Sequence, residues 1–166
     1  MRSLVHRAGL SFLVSHLLIA AARAETTNEG DWRVECPASP GNSSACQMHQ
    51  APAAPDGGAP HFLVSVSVER AGTLYGVMTT PLSVYLVPGV ELAVDGGRPF
   101  KANFELCDTA GCHAGFRLSG TVLAAFQKGQ IAQMRIWVSK SRAIEVPVSL
   151  KGFSRGVQML KQKGQG

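Results

Sequence analysis

Two cysteines and a histidine stand close together in the segment "FELCDTAGCHAG". Cys107 and Cys112 are separated by four residues, and His113 follows the second cysteine directly. Thiolates and imidazoles bind zinc, paired thiols carry redox chemistry, and a Cys-x-x-Cys-His segment is the attachment signal of c-type haem. Two cysteines can also form a structural disulfide bridge. The spacing of the cysteines and the compartment of the protein decide among these chemistries.

Spacing disfavours a metal site and a redox site. Structural zinc sites commonly take cysteines in pairs two to four residues apart, whereas nine residues separate Cys36 from Cys46. A redox-active pair has the spacing Cys-x-x-Cys at the start of a helix, where the helix dipole activates the thiol. Cys107 instead ends a run that alternates like a strand, and Asp108 follows it. We therefore predict no metal site and no redox activity.

The haem signal is present only in a lengthened form, "CDTAGCH". A haem-carrying protein remains an alternative, because an exported chain could receive the cofactor. A motif counts, however, only in its structural context, and multihaem proteins with such spacings are mostly helical, whereas this chain is rich in β patterns. We predict no cofactor.

A disulfide framework is the simplest interpretation of the four cysteines. Cys36 and Cys46 enclose the turn-rich segment "PASPGNSSA", and Cys107 and Cys112 enclose "DTAG". We predict the local pairs Cys36–Cys46 and Cys107–Cys112, each closing a tight loop. Four cysteines permit three pairings, and bridges between distant segments remain open at this point.

The first 24 residues have the layout of a secretory signal peptide. Two arginines precede an apolar stretch from Leu10 to Ala22, and the small residue Ala24 stands just before Glu25. This pattern predicts cleavage between Ala24 and Glu25 and an oxidising destination. No later stretch is long and apolar enough for a membrane span, so we expect none in the mature chain.

The net charge gives no support to nucleic-acid binding. The full chain carries +5, but three of its sixteen basic residues lie in the signal peptide. The remaining thirteen Lys and Arg face eleven acidic residues, which leaves a net charge of +2. A nucleic-acid interface would need a crowd of basic residues on one face.

The elements that must position the cysteines are mostly strands. In "HFLVSVSVER" the valines Val64, Val66 and Val68 share one face, and the serines point to the other. The segments "DWRVEC", "FKANFELC" and "AIEVPVSLKG" alternate in the same way, and "PLSVYLVPG" is β-rich. Two short helices are predicted, one in "SGTVLAAFQKG" with Ser119 as its cap and Gly129 just past its end, and one in "FSRGVQMLKQK".

About eight strands with two short helices indicate a mainly β fold, an antiparallel β-sandwich. We expect residues 25–166 to form a single domain of this kind. Residues 51–60, "APAAPDGGAP", are predicted to be a flexible loop because they are rich in Pro, Ala and Gly and lack periodicity.

Five segments spread over most of the mature chain occur together in one known family. They are "DWRVEC", "QMHQ", "PLSVYLVPGVELAVDGG", "FELCDTAGCHAG" and "LKGFSRGVQML", which run from Trp32 to Leu160. In these segments and their order, the chain resembles the invasion-associated locus B family. The resemblance implies an immunoglobulin-like β-sandwich in a periplasmic or surface-associated bacterial protein, with no characteristic catalytic residue or cofactor. Two departures are Ser83, where a glycine is common, and the extended loop 51–60.

We therefore predict a non-catalytic binding protein of the cell envelope. Its partner would be a protein, an envelope component or a host surface, and its location periplasmic, with outer-membrane association or secretion left open. No catalytic residue is predicted. Tyr75, in "GTLYGVMTT", is the candidate contact, because two nearby glycines are typical of an exposed edge strand that a partner approaches. The alternative function is a periplasmic hydrolase whose site is assembled from distant residues.

Overall fold

The computed structural model describes residues 24–37, 46–53, 62–69 and 72–163, and these contain eleven strands and two helices. The strands are β1 Glu25–Glu29, β2 Trp32–Cys36, β3 Gln47–Gln50, β4 Leu63–Val68, β5 Leu74–Thr80, β6 Val90–Val94, β7 Phe100–Ala102, β8 Phe104–Asp108, β9 Gly111–Leu118, β10 Ile131–Ser139 and β11 Arg142–Ser149. The helices are α1 Gly120–Lys128 and α2 Phe153–Lys163. Most of the predicted signal peptide, residues 1–23, and most of the predicted loop, 54–60, lie outside the described residues.

Two antiparallel sheets form the architecture. Sheet A has seven strands in the order β1-β2-β3-β4-β5-β9-β8, and sheet B has four in the order β11-β10-β6-β7. Val64 and Val66 are buried between the layers, while Ser65 and Ser67 stand half-buried on the outer face of sheet A. The predicted antiparallel β-sandwich with short helices is confirmed.

Helix α2 completes the layer opposite sheet A, which is three strands wider than sheet B. Phe153, Val157 and Leu160 are fully buried on one face of the helix, at the spacing that predicted it. The Phe153 ring meets Trp32 of β2 edge-on, with 5.4 Å between ring centroids. Gly156 permits this close approach, because a Cβ there would lie 2.6 Å from the Met48 sulfur.

The segment "FKANFELC" differs from its predicted form, a single strand. The chain crosses from sheet B to sheet A at Asn103, so β7 and β8 belong to different sheets. A bulge between Phe104 and Leu106 then shifts the pairing of β8 with β9. Period-two alternation carries no information about which sheet a strand joins, so the crossing is invisible in the pattern.

The segment "PLSVYLVPG" is predicted to be β-rich, but it contains no strand. It forms the connection from β5 in sheet A to β6 in sheet B. Ser83 within it has a left-handed backbone, with φ 70°. Only glycine adopts this region without a steric cost. The backbone of Ser83 is therefore strained.

Candidate functional site

The four cysteines are paired locally. Cys107 lies directly opposite Cys112 in the register of β8 and β9, and their sulfurs are 2.06 Å apart. The Cys36 and Cys46 sulfurs are 2.14 Å apart, next to the β2–β3 pairing. Gly111 makes the turn between Cys107 and Cys112 possible, because its φ is 145° and a Cβ would collide with the Thr80 carbonyl oxygen. Each disulfide therefore links two neighbouring strands of sheet A: Cys36–Cys46 joins β2 to the start of β3, and Cys107–Cys112 joins β8 to β9.

His113 is held by hydroxyl and carboxylate groups. Its Nδ1 lies 3.0 Å from the Thr79 hydroxyl, and its Nε2 lies 3.1 Å from an Asp108 carboxylate oxygen. The bond from His113, together with the N–H that Ala110 donates, holds the pKa of Asp108 below its usual range. Among the described residues no group of three or more His, Cys, Asp or Glu could hold a metal ion.

The order hydroxyl, imidazole and carboxylate is also that of a hydrolase triad. In such triads the carboxylate is buried and orients the histidine. The Asp108 side chain is 54% exposed, and Asp108 is the last residue of β8, directly before the β8–β9 turn. This geometry favours a structural role, in which Thr79, His113 and Asp108 fix the turn to β5.

The expectation that Tyr75 lies on an edge strand is wrong. Its strand β5 pairs with β4 on one side and with β9 on the other, in the interior of sheet A. The glycine that suggested an edge has a different purpose. Gly76 points into the core, where a Cβ would lie 2.5 Å from the Phe116 ring. It makes room for a buried aromatic side chain.

The Tyr75 side chain nevertheless reaches the edge of the sheet. Its hydroxyl donates a hydrogen bond of 2.5 Å to Glu105 on β8. Gly115 on the intervening strand β9 allows this, because a Cβ at Gly115 would collide with both the Tyr75 hydroxyl and the Glu105 carboxylate. The bond to Glu105, with partial burial, raises the pKa of Tyr75 to about 12. The tyrosine is thus anchored across the outer face of sheet A.

Within the residues that the structure describes, the edges of sheet A are β1 and β8. Edge β1 is tied to helix α2 by ion pairs from Arg155 to Glu29, at 2.7 Å, and from Lys163 to Glu25, at 2.5 Å. Edge β8 exposes its last four residues, and Leu106 is 56% exposed. In sheet B, edge β11 contains Pro147, which has no N–H to offer a partner.

These contacts define one surface, which we call the β8 surface. It consists of Tyr75, Glu105, Leu106, Asp108 and His113. Sequence reasoning singled out Tyr75 and the cysteine segment separately. The β5–β9–β8 pairing brings them together. Sequence reasoning missed exposed Leu106, because in an unbroken alternation Leu106 shares a face of the strand with Phe104. The bulge places it instead beside His113.

Comparisons with known proteins agree with this architecture. A family model described as "Invasion associated locus B (IalB) protein" matches residues 32–161. Among solved structures, the chain is similar to the crystal structure of invasion associated protein b from Bartonella henselae, with a TM-score of 0.74 and 22% sequence identity. That match covers 86% of this chain and 99% of the other, and at this identity it shows the fold alone. No curated protein matches the sequence.

Proposed function

Because the chain belongs to the invasion associated locus B family, we propose that it is an exported cell-envelope protein that binds an extended segment of a partner protein without a chemical step. The observation that carries the proposal is the open edge β8 with exposed Leu106. An edge strand presents backbone N–H and C=O groups that a partner strand can pair with. Edge β1, by contrast, is bridged to α2.

The side chains of the β8 surface supply the selectivity. Leu106 offers an apolar contact. Next to it, on the outer face of sheet A, lie the Tyr75 hydroxyl and the Glu105 carboxylate, which are hydrogen-bonded to each other. An anchored tyrosine loses little conformational entropy on binding, which is why tyrosine is common in recognition surfaces. Tyr75 therefore remains in the proposal as a contact residue, although its own strand is interior.

Export is supported by the signal-peptide pattern and by the disulfides. Two disulfides fit an oxidising compartment such as the periplasm. Cleavage before Glu25 would also place the new N-terminus at the first residue of β1. Mass spectrometry of the exported protein should give a chain that begins at Glu25, and an intact Met1 would contradict export with cleavage. Non-reducing peptide mapping should recover Cys36–Cys46 and Cys107–Cys112 without haem.

Binding through β8 is tested with a photoreactive amino acid at position 106. The cross-linked protein is identified in the native bacterium, and its affinity is then measured with purified components. Leu106→Asp should weaken that affinity by at least about tenfold, because a charge replaces a buried apolar contact. Tyr75→Glu should weaken it as well. Val87→Asp is the matched control, since Val87 is 80% exposed but lies in the β5–β6 connection.

Two results would overturn the proposal. In the first, Leu106→Asp stays folded and binds the identified partner as tightly as Val87→Asp does. In the second, the purified protein hydrolyses an ester or amide, and Thr79→Ala or His113→Ala abolishes turnover without unfolding. The second result would assign the hydrogen-bonded groups Thr79, His113 and Asp108 to a hydrolase.

A further inference from the structure

A groove separate from the β8 surface lies beside helix α1. Its volume is about 630 Å³, which is within the range of roughly 300–1,000 Å³ typical of small-molecule sites. The first two turns of α1 form one wall, and the end of β6 with the β6–β7 connection forms the other. The lining residues are Val94, Gly97, Arg98, Pro99, Phe100, Thr121, Val122 and Ala125.

The apolar part of the groove is backed by the aromatic core. Phe100 lines the groove, and its ring centroid lies 5.5 Å from that of Phe116 and 6.3 Å from that of Phe126. Phe126 is 1% exposed. Val94 and Val122 are half-buried and pack against the same core. A ligand in the groove would therefore meet a preformed apolar wall, so binding it would cost little reorganisation.

One cation lies in this apolar lining. Arg98 is exposed, and no carboxylate of the described residues lies within ion-pair distance of it. The acid in the same connection, Asp95, is committed elsewhere. Its carboxylate accepts hydrogen bonds from the backbone N–H groups of Gln130, at 3.0 Å, and Ile131, at 2.9 Å. The charge of Arg98 is thus available to an incoming anion.

We propose that this groove binds a small amphipathic monocarboxylate, with its alkyl chain on Phe100 and Val122 and its carboxylate on Arg98. A guanidinium donates two parallel hydrogen bonds to the two oxygens of a carboxylate, which fixes the orientation of the ligand. The alkyl chain gains from burial against the valines and the phenylalanine. The site is distinct from the β8 surface in residues and in ligand chemistry.

An extended peptide fits this groove less well than an alkyl chain. A peptide needs partners for its own backbone N–H and C=O groups. In the α1 wall, the Ala125 carbonyl is already engaged, because it accepts from the N–H of Gly129. In the other wall, the N–H of Gly97 already donates to the Val94 carbonyl. An alkyl chain makes no such demand.

The test uses dodecanoate as the probe, titrated calorimetrically into the purified protein below its micelle concentration. We expect saturable binding at one site. Arg98→Ala should weaken it by at least about tenfold, because it removes both charge-assisted hydrogen bonds to the carboxylate, and dodecan-1-ol should bind correspondingly more weakly. Ala125→Trp and Thr121→Trp should each block the groove. Thr121 is exposed, so its variant tests the blockage even if Ala125→Trp fails to fold.

Controls separate this site from the rest of the molecule. Arg142→Ala removes an exposed arginine outside the groove, and Leu106→Asp alters the β8 surface, so both should bind dodecanoate like the parent. The proposal is overturned if dodecanoate does not bind, or if Arg98→Ala and both tryptophan variants bind it normally. It is also overturned if a short peptide with an apolar C-terminal residue binds through Arg98 while dodecanoate does not.

Discussion

The two edges of sheet A are stabilised in different ways. Beside the β1 edge, Trp32 of β2 is buried against Phe153 of helix α2, and its indole N–H donates to the Ser149 carbonyl at 2.9 Å. At the β8 edge, the hydrogen bond from Tyr75 to Glu105 lies on the exposed outer face. The Cys107–Cys112 disulfide links β8 to β9 covalently at this edge, as Cys36–Cys46 joins β2 to the start of β3 near the other edge.

Because of this difference, we expect the two ends of sheet A to have different roles, one in the stability of the fold and the other in partner binding. Burial of large apolar side chains is worth roughly 1.5–3 kcal/mol each, whereas exposed polar pairs contribute roughly 0–1 kcal/mol. The β1 end should therefore hold most of the folding free energy. The β8 end can present side chains to a partner, because substitutions there cost the fold little. Four substitutions test this division, beginning with the most costly.

Trp32→Ala should be the most destabilising of them. Trp32 is 1% exposed, and truncating a buried tryptophan typically costs about 3–5 kcal/mol. The substitution also leaves the Ser149 carbonyl with one partner fewer. Urea denaturation should show this loss, while Leu106→Ala at the β8 end should change the free energy of unfolding by no more than about 0.5 kcal/mol. Similar losses in both variants would remove the distinction between the two edges.

Gln50→Ala should cost about 2 kcal/mol, because it leaves buried backbone groups unpaired. Gln50 is 9% exposed. Its amide donates to the carbonyls of Asp31 and Ser149 and accepts from the Ser149 N–H at 2.8 Å. It thus connects β3 to β11 and to the β1–β2 turn. His49→Ala, one residue away on the outer face, is the control and should cost less than half as much.

Much of this architecture can be predicted from the sequence. Alternation in "HFLVSVSVER" gives the buried face of β4, and the spacing of Phe153, Val157 and Leu160 gives helix α2. Both patterns arise from burial of one face, which is a property of neighbouring residues along the chain. The limits of α1 follow Ser119 and Gly129, although the Ser119 side chain makes no capping hydrogen bond.

The binding surface depends on contacts that sequence spacing does not encode. Tyr75 meets Glu105 only because β9 lies between their strands, and Gly115 is needed beneath the tyrosine. Gly76 looked like an edge signal, yet it accommodates Phe116. A glycine in a strand indicates a close approach but not by what. The order of the strands in the sheet supplies the missing information.

Ser83→Gly should stabilise the protein by about 0.5–1 kcal/mol. A left-handed backbone costs a non-glycine residue roughly 1–2 kcal/mol, and part of this gain is offset because glycine loses more conformational entropy on folding. The connection that contains Ser83 starts at the end of β5, where Thr80 pairs with Cys112. At the β1 end, the comparable positions Gly30 and Gly152 are already glycines. Thermal unfolding measures the gain. Ser119→Gly, with φ −142°, is the control and should give none.

Gly115→Ala should change the ionisation of Tyr75 more than the stability of the fold at neutral pH. The added methyl group occupies the space in which the Tyr75 hydroxyl meets Glu105, so that hydrogen bond is lost. The pKa of Tyr75 should then fall from about 12 towards the ordinary value of about 10. Tyrosinate absorbance in a Tyr85→Phe background follows this titration.

The raised pKa also fixes the direction of a pH effect at the β8 end. The folded state holds the Tyr75 proton more tightly than the unfolded state does, so this contribution to stability is complete below about pH 10. It is lost as the pH rises through about 12, and Gly115→Ala should remove that dependence. Ser67→Ala is the matched control, because Ser67 lies directly opposite Tyr75 on β4. If the pKa of Tyr75 stays near 12 in Gly115→Ala, the hydrogen bond to Glu105 does not depend on the glycine. Position 115 would then accept a methyl group in the space that the Tyr75 hydroxyl and the Glu105 carboxylate occupy in the structure.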